Sequence, residues 1–507
     1  MTTIRAVCMS AALASAACGS HAAPATSPAT RDHSSAVRQL HADLSPVFSA
    51  PIMARGVWGV DVRSADTGAV LFQHNAERLM MPASNMKILT LSAAADVLGW
   101  DHRFATTLET SAPVENGALH GDLIVRGSGD PTMSTRGDRA KQVFEEWAQA
   151  LRAAGITSID GRVVGDDQAF DDEGLGPGWA WDYLEAGYAS PTGALQYNEN
   201  VAELTVTPGA AAGDPAGVRI EPGSGLAVVN RARTEQAAEP AQRASIDVRR
   251  RVDKPEIEVS GTIPLGAPVV TRMVAVVNPT LFFAQGVKDA LTARGIAVTG
   301  EAADGDDVAP GVLGTGAPAL RVLHTTLSPT VREIGTVLMK VSQNQYGETL
   351  LKAVGAKQSG LGTTRAGRAA ATRTFTGWSI PEDAYVMSDG SGLSRYNYIA
   401  PSTITTVLRR MYSDPRHREP FVATFPIAGK DGTISTRMRN TRAAENAVAK
   451  TGSIANVRSL SGFVRTRDGE MLVFAIIAND FVIPAATINW AADLAVETLA
   501  NFTRRDQ

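Results

Sequence analysis

Cysteine is almost absent from this chain. Of 507 residues only Cys8 and Cys18 carry a thiol, and both lie near the N-terminus. There Arg5 is the one charge ahead of a run of small and apolar residues from Ala6 to Ala17. Ser20-His21-Ala22 then supplies a small-x-small cleavage pattern before a Pro- and Thr-rich stretch. Residues 1–22 therefore read as an export signal. Cleavage after Ala22 leaves a mature chain without cysteine, which excludes disulfides, thiol catalysis and cysteine-ligated zinc. Lipid attachment at Cys18 is the other use of this segment. Ser15, three residues earlier, stands where such sites usually carry a bulky aliphatic residue, so anchoring is not the expectation.

Other absences narrow the chemistry. No later stretch offers about eighteen uninterrupted apolar residues, so no transmembrane segment is expected in the mature chain. A formal net charge of −4 gives no reason to expect nucleic-acid binding. There is no His-Glu-x-x-His for zinc hydrolysis and no Gly-x-Ser-x-Gly elbow. None of the eight histidines falls in the serine-containing motifs described below, so a Ser-His-Asp triad has no anchor. No metal or cofactor is expected. Lysine is scarce as well, with nine in the chain, which makes lysine-containing motifs harder to meet by accident.

The length calls for two to four domains. Val57 to Arg63 and Ala69 to His74 read as strands joined by Ser64-Ala65-Asp66-Thr67-Gly68. Leu460 to Thr466 and Met471 to Ala478 form a second expected hairpin. A terminal helix over about 485–503 places Ile488, Ala491, Ala492, Ala495, Leu499 and Phe502 on one face. Strands at both chain ends plus this helix point to one mixed α/β domain assembled from the two ends, with the middle inserted. That middle, about 102–320, is rich in Gly, Asp and Val. It carries short strand-like pieces at 121–126, 161–165 and 218–220, a helix over 282–294, and loop-like segments at 208–217 and 302–319.

The stretch Met81-Pro82-Ala83-Ser84-Asn85-Met86-Lys87 reads as a helix start. Pro82 suits the first turn, Ile88, Leu89, Leu91, Ala94, Ala95 and Leu98 form a buried stripe, and Gly99 ends the helix. Ser84 and Lys87 are then neighbours one turn apart. A serine hydroxyl becomes a nucleophile when a base takes its proton, and a lysine is such a base if its amine is neutral. Ser-x-x-Lys alone arises by chance in roughly one of two such chains. Two further motifs complete it: Ser342-Gln343-Asn344, and Lys450-Thr451-Gly452-Ser453 entering the second hairpin. Lys-Thr-Gly is the rarer, expected by accident in roughly one chain in fifteen, and the three in this order are specific as a set.

The set resembles the penicillin-recognising serine acyl-transferases. With "RGSGDPTM" (126–133), "SDGSGLSRYN" (388–397), "IAGKDGTISTRM" (427–438) and "AKTGSIANVRSLSGF" (449–463), the chain is similar to the low-molecular-mass class C penicillin-binding proteins. These are the D-alanyl-D-alanine carboxypeptidase/endopeptidase family. The resemblance implies an α/β penicillin-binding, serine β-lactamase-like transpeptidase domain from residues 36–101 and 321–507. It also implies an inserted domain from 102–178 and 268–320, and a third domain, 179–267, nested within that. It implies Ser84 as nucleophile, Lys87 as base, Ser342 as proton relay beside Lys450, and Asn344 holding Lys87 and the substrate amide. Thr451 and Lys450 would bind the terminal carboxylate, Gly452 lies in the same strand motif, and the N–H groups of Ser84 and Ser453 would form the oxyanion hole. Arg395 and Asp182 would reach a diaminopimelate side chain. At the second place of an acidic or polar pair this chain has Tyr183, and Gln343 stands where Asp or Asn is common. Substrates would be peptidoglycan stem peptides in the periplasm, with β-lactams as covalent inhibitors. Two lysines in one pocket repel, which favours a neutral amine on one of them.

Two rivals share these motifs. A β-lactamase does not need an insertion of about 220 residues and requires a deacylating group, for which no candidate is evident. A non-catalytic cell-wall scaffold would not need the complete polar set.

Overall fold

The computed structural model describes residues 35–504 except 224, 240, 241, 310, 311 and 314–317. The segment 1–22, with both cysteines, lies outside the described residues. Both chain ends build one antiparallel sheet. Its strands are β1 (Val57–Ser64), β2 (Val70–His74), β3 (Val448–Ile454), β4 (Val457–Arg465) and β5 (Met471–Asn479), in the order β2-β1-β5-β4-β3. The two expected hairpins are therefore joined through β1 and β5. The Lys-Thr-Gly strand, β3, is left at the edge.

The sequence of β5 explains the layering. Successive side chains of a strand point to opposite faces. Leu472, Phe474, Ile476 and Ala478 enter a core with Leu40 and Leu44 of α1 (Ser35–Phe48) and Ile488, Val496 and Leu499 of the C-terminal helix, α7 (Ala485–Asn501). Val473, Ala475 and Ile477 enter the opposite core with helices α2 (Met86–Val97), α3 (Val331–Lys340), α4 (Asn344–Ser359), α5 (Thr364–Gly377) and α6 (Pro401–Ser413). Helices cover both faces, so the strand is apolar throughout. Each fully buried Leu, Ile or Phe contributes about 1.5–3 kcal/mol. Truncating Phe474 to alanine is expected to cost about 3–5 kcal/mol.

Helix α2 departs from the expected one-sided stripe. Met86 to Ala95 are all buried, because α4, α5, α6 and α3 pack around it. Even its polar members, Lys87, Thr90 and Ser92, lie inside. Lys87, the base in the sequence reading, is thereby placed on an enclosed helix.

Between α2 and α3 the described residues build four further sheets. A mixed five-stranded sheet runs Ala302–Asp304, Val163–Asp166, Leu123–Gly127, Ala105–Thr110, Arg321–Leu327. Two helices, Arg139–Ala153 and Pro279–Ala293, pack on it through Val143, Trp147, Leu151, Phe283, Val287 and Leu291. A small sheet of Ala297–Val298, Ser158–Ile159, Ala118–Leu119 and Val114–Glu115 lies beside them. Residues 201–275 form a three-stranded and a four-stranded sheet around Leu204, Val206, Ile257, Val259 and Ile263. Two findings differ from the sequence reading. Helix Arg139–Ala153 was not expected in a β-rich middle, although Val143, Phe144, Trp147, Ala148 and Leu151 repeat at helical spacing. Residues 302–304, expected as loop, pair with Val163–Gly165 as a parallel strand. Among the described residues no helix is long and apolar enough to cross a membrane.

Candidate active site

Ser84 sits on a strained turn. The α-helix does not start at Pro82 as expected but at Met86, after a tight turn over Ala83–Asn85 in which Ala83 has φ +46°. A non-glycine residue held there costs about 1–3 kcal/mol and needs support from its surroundings. That support is backbone pressed on backbone. A Cβ added at Gly392 would lie 1.9 Å from the Ala83 carbonyl oxygen, and one at Gly452 would lie 2.7 Å from Pro82 O and 3.0 Å from Ser84 N. Side chains fasten the same turn: Ser459 Oγ donates to Pro82 O at 2.7 Å, and Asn85 Nδ2 to Lys450 O at 2.9 Å. Asn479 binds both backbone groups of Met81, at 2.8 and 3.1 Å.

Lys87 Nζ makes three hydrogen-bonding contacts, to Asn344 Oδ1 at 2.6 Å, Ser391 O at 2.7 Å and Ser84 Oγ at 3.0 Å. Asn344 is oriented by its other arm, Nδ2 donating to Tyr188 O at 2.8 Å. Two of the three partners of Lys87 can only accept. A neutral amine gives them its two N–H groups and turns its lone pair toward the Ser84 hydroxyl. Burial lowers the Lys87 pKa to about 7, against the upward pull of Asp389 and Glu348. Lys450 Nζ bonds Ser342 Oγ at 2.8 Å and Thr451 O at 2.7 Å. Its pKa also falls, through burial first and repulsion by Lys87 second. The expected repulsion between the lysines therefore acts on Lys450, while burial is what lowers the pKa of Lys87.

The remaining sequence-predicted residues fall into two groups. Thr451, Gly452 and Ser453 follow Lys450 along β3, with Gly452 against the Ser84 backbone and Thr451 Oγ1 bonded to Thr433 Oγ1 at 2.8 Å. The outer edge of β3 past Val448 borders no further strand among the described residues, so an extended peptide can pair there. Arg395 and Asp182 stand farther out. Arg395 bonds Ala455 O at 3.2 Å, and Asp182 is exposed on a short turn, Trp181–Tyr183. No hydrogen bond or ion pair joins these two described residues. A cleft of about 920 Å³ opens from Ser342, Gln343 and Asn344 toward Arg136, Tyr188 and Arg272.

The sequence profile of the D-Ala-D-Ala carboxypeptidase 3 (S13) family matches residues 40–499. The chain belongs to that family. It is 33% identical over 476 residues to a D-alanyl-D-alanine carboxypeptidase of Actinomadura sp. (strain R39), covering 90% of this chain and 84% of the relative. It is 28% identical to the D-alanyl-D-alanine carboxypeptidase DacB of Haemophilus influenzae, covering 83% and 85%. The crystal structure of penicillin binding protein 4 (dacB) from Haemophilus influenzae superposes with a TM-score of 0.77 at 26% identity, covering 92% of this chain and 99% of that one.

Several residues that support this S13 site were not singled out from sequence. Ser391 O faces Lys87 because the loop 388–394 is wound around two buried carboxylates. Glu348 accepts from Gly390 N at 3.0 Å and Ser391 N at 2.8 Å. Asp389 accepts from Gly392 N, Ser394 N, Asn397 Nδ2 and Trp179 Nε1 at 2.6–2.9 Å. Burial and the nearby Asp389 raise the Glu348 pKa to about 7, partly offset by the backbone donors. The available signal for Asp389 was its place in Ser-Asp-Gly-Ser-Gly, an acid in a small-residue loop whose backbone N–H groups need acceptors. Glu348 gave no such signal, since a glutamate in a helix ordinarily faces solvent.

Proposed function

We propose that this S13 chain is a serine DD-peptidase acting on peptidoglycan stem peptides, and that Ser84, Lys87, Ser342, Asn344 and Lys450 carry the reaction. The observation that carries this reading is the three-way contact of Lys87 Nζ with Asn344 Oδ1, Ser391 O and Ser84 Oγ, in which a neutral amine donates to the first two and can accept from the Ser84 hydroxyl. Ser84 Oγ attacks the carbonyl between the two D-alanines while its proton passes to Lys87 Nζ. The developing oxyanion lies at the N–H groups of Ser84 and Ser453. The C–N bond then breaks, Ser342 passing a proton to the departing nitrogen and being resupplied from the lysine side. Water hydrolyses the resulting ester, with Lys87 again taking the proton. Thr451 and Lys450 receive the terminal carboxylate on the edge of β3, and Arg395 with Asp182 reads the diaminopimelate side chain.

Cleavage of D-Ala-diaminopimelate cross-links belongs to the same reading. There the leaving group is a whole second stem peptide, and the cleft beside Ser342 and Asn344 offers room for it. β-Lactams, which present a strained amide and a carboxylate, acylate Ser84. In the domain division that accompanies this reading, 36–101 with the segment after Leu327 forms the catalytic unit. The strand Arg321–Leu327 goes with the inserted part, since it pairs with Ala105–Thr110. Residues 1–22 direct export to the periplasm.

The test is release of D-alanine from a D-Ala-D-Ala pentapeptide together with the mass of the protein after exposure to penicillin. Wild type is expected to release D-alanine and gain one long-lived adduct on Ser84, and Ser84→Ala to do neither. Equal release by both proteins would sink the reading, and an adduct hydrolysed within seconds would favour a β-lactamase. Digestion of diaminopimelate-type peptidoglycan, resolved by mass, decides the cross-link activity.

A further inference from the structure

The segment 342–344 is held from the inserted region at two consecutive residues. Besides the bond from Asn344 to Tyr188 O, Gln343 caps α4 with Oε1, accepting from Gln345 N at 3.2 Å, and its Nε2 donates to Glu199 Oε2. The other Glu199 oxygen accepts from Arg136 Nε at 2.8 Å. Both arms of the amide and both oxygens of the carboxylate are thus committed.

The backbone around Glu199 is unusual. Asn198, Glu199 and Asn200 have φ of +51°, +57° and +54°, three successive non-glycine residues in the left-handed region. Residues other than glycine adopt this conformation uncommonly, and such residues gather where geometry serves a purpose. Several bonds hold this turn. Asn200 Nδ2 donates to Pro191 O at 2.8 Å, Asn198 Oδ1 accepts from Thr135 Oγ1 at 2.9 Å, and Ser190 Oγ donates to Glu199 O at 3.0 Å. The product of all this is one carboxylate, 16% exposed, aimed at Gln343. Across that bond Ser342 is itself left-handed, with φ +63°. A strained serine next to Gln343 is therefore steadied by a strained turn from a distant part of the chain.

We propose that Glu199 is a positioning residue: it fixes Gln343, and through it the Ser342 hydroxyl, at the point where the departing nitrogen takes its proton. This rests on the role given to Ser342 above. Arg136 completes the brace by holding Glu199 in place. As the C–N bond breaks, the nitrogen gains the Ser342 O–H proton and the Ser342 oxygen regains one from the lysine side. A thiolate leaving group departs as a stable anion and needs no such proton, so the brace matters for amides and not for thioesters.

The experiment compares kcat and KM of the full chain on a D-Ala-D-Ala peptide and on a thioester with the same acyl group, active Ser84 being counted with labelled penicillin. Glu199→Ala is expected to lower peptide kcat by on the order of tenfold to a hundredfold, with KM and thioester turnover little changed. Glu199→Gln keeps an acceptor for Gln343 and recovers most of the peptide rate. Gln343→Ala reproduces Glu199→Ala, and the double variant is no worse than either. Should Glu199→Ala fail to fold, Gln343→Ala carries the same comparison. Equal losses on both substrates, no loss on the peptide, or a Glu199→Gln as deficient as Glu199→Ala would overturn the proposal while leaving the peptidase reading intact. Wild type inactive on the peptide would overturn both.

Discussion

Lys87 Nζ lies 3.0 Å from Ser84 Oγ, and its two other partners, Asn344 Oδ1 and Ser391 O, can only accept. The base is thus oriented by what it must donate to. With a pKa of about 7 the amine loses its proton within the neutral range. The neutral fraction grows as pH rises, so penicillin acylation of Ser84 should be slow in acid, half-maximal near the Lys87 value and level above it. Lys87→Arg keeps a cation that does not deprotonate and should lose about 10²–10⁴-fold in acylation rate across the range. A pH-rate profile by stopped-flow or adduct mass checks both.

Asn344→Asp separates geometry from charge. The aspartate still accepts from Lys87, but a negative charge at this distance favours the ammonium and raises its pKa by about 1–3 units. The rising limb of the acylation profile should move to higher pH by a similar amount. An unmoved limb would show that Asn344 does not set the state of Lys87.

Gly452→Ala tests the contact between β3 and the nucleophile turn. The new methyl would meet Ser459 Oγ at 2.1 Å and the backbone of Pro82 and Ser84. Overpacking of this kind costs about 1–3 kcal/mol, and here it also pushes on Ser84 N. Both thermal stability and acylation should fall. Gly377→Ala, at the end of α5 with no atom from outside its own stretch of helix within 4 Å of the added carbon among the described residues, should stay within about 1 kcal/mol of wild type.

Asp389→Asn should damage the loop and shift the chemistry in a known direction. Both Asp389 oxygens accept hydrogen bonds, so an amide NH₂ at either position faces existing donors and costs about 1–3 kcal/mol. Asp389 also raises the Lys87 pKa. Its loss should move the acylation limb to lower pH, while the melting temperature drops.

Arg395→Ala addresses substrate choice. Among the described residues Arg395 hydrogen-bonds Ala455 O. Its removal should raise KM for peptides with a free diaminopimelate carboxylate and leave penicillin acylation unchanged. Equal effects on both would mean that Arg395 acts on the fold of the site and not on the side chain of the substrate.

What could be read from the residues follows from local and periodic physics. The hairpins 57–74 and 460–478, the C-terminal helix and the three motifs were all legible, because strand alternation, turn residues and motif spacing are properties of neighbouring positions. The helix 139–153 carries the same kind of signal in its apolar spacing, whereas 302–304 could not be read as a strand because only its pairing with 163–165 makes it one.

The sequence by itself determined which groups are available: one serine beside one lysine, a second serine and asparagine, a second lysine in Lys-Thr-Gly, and no cysteine after Cys18. The tertiary structure alone decided their state. Packing on all sides of α2 removes water from Lys87, and that desolvation lowers its pKa. The backbones of Gly392 and Gly452, brought from more than 300 residues downstream, hold Ala83 and Ser84 in a turn the chain would not adopt unaided. Glu199 meets Gln343 across 144 residues of sequence, a contact no motif records because it depends on two folded parts being pressed together.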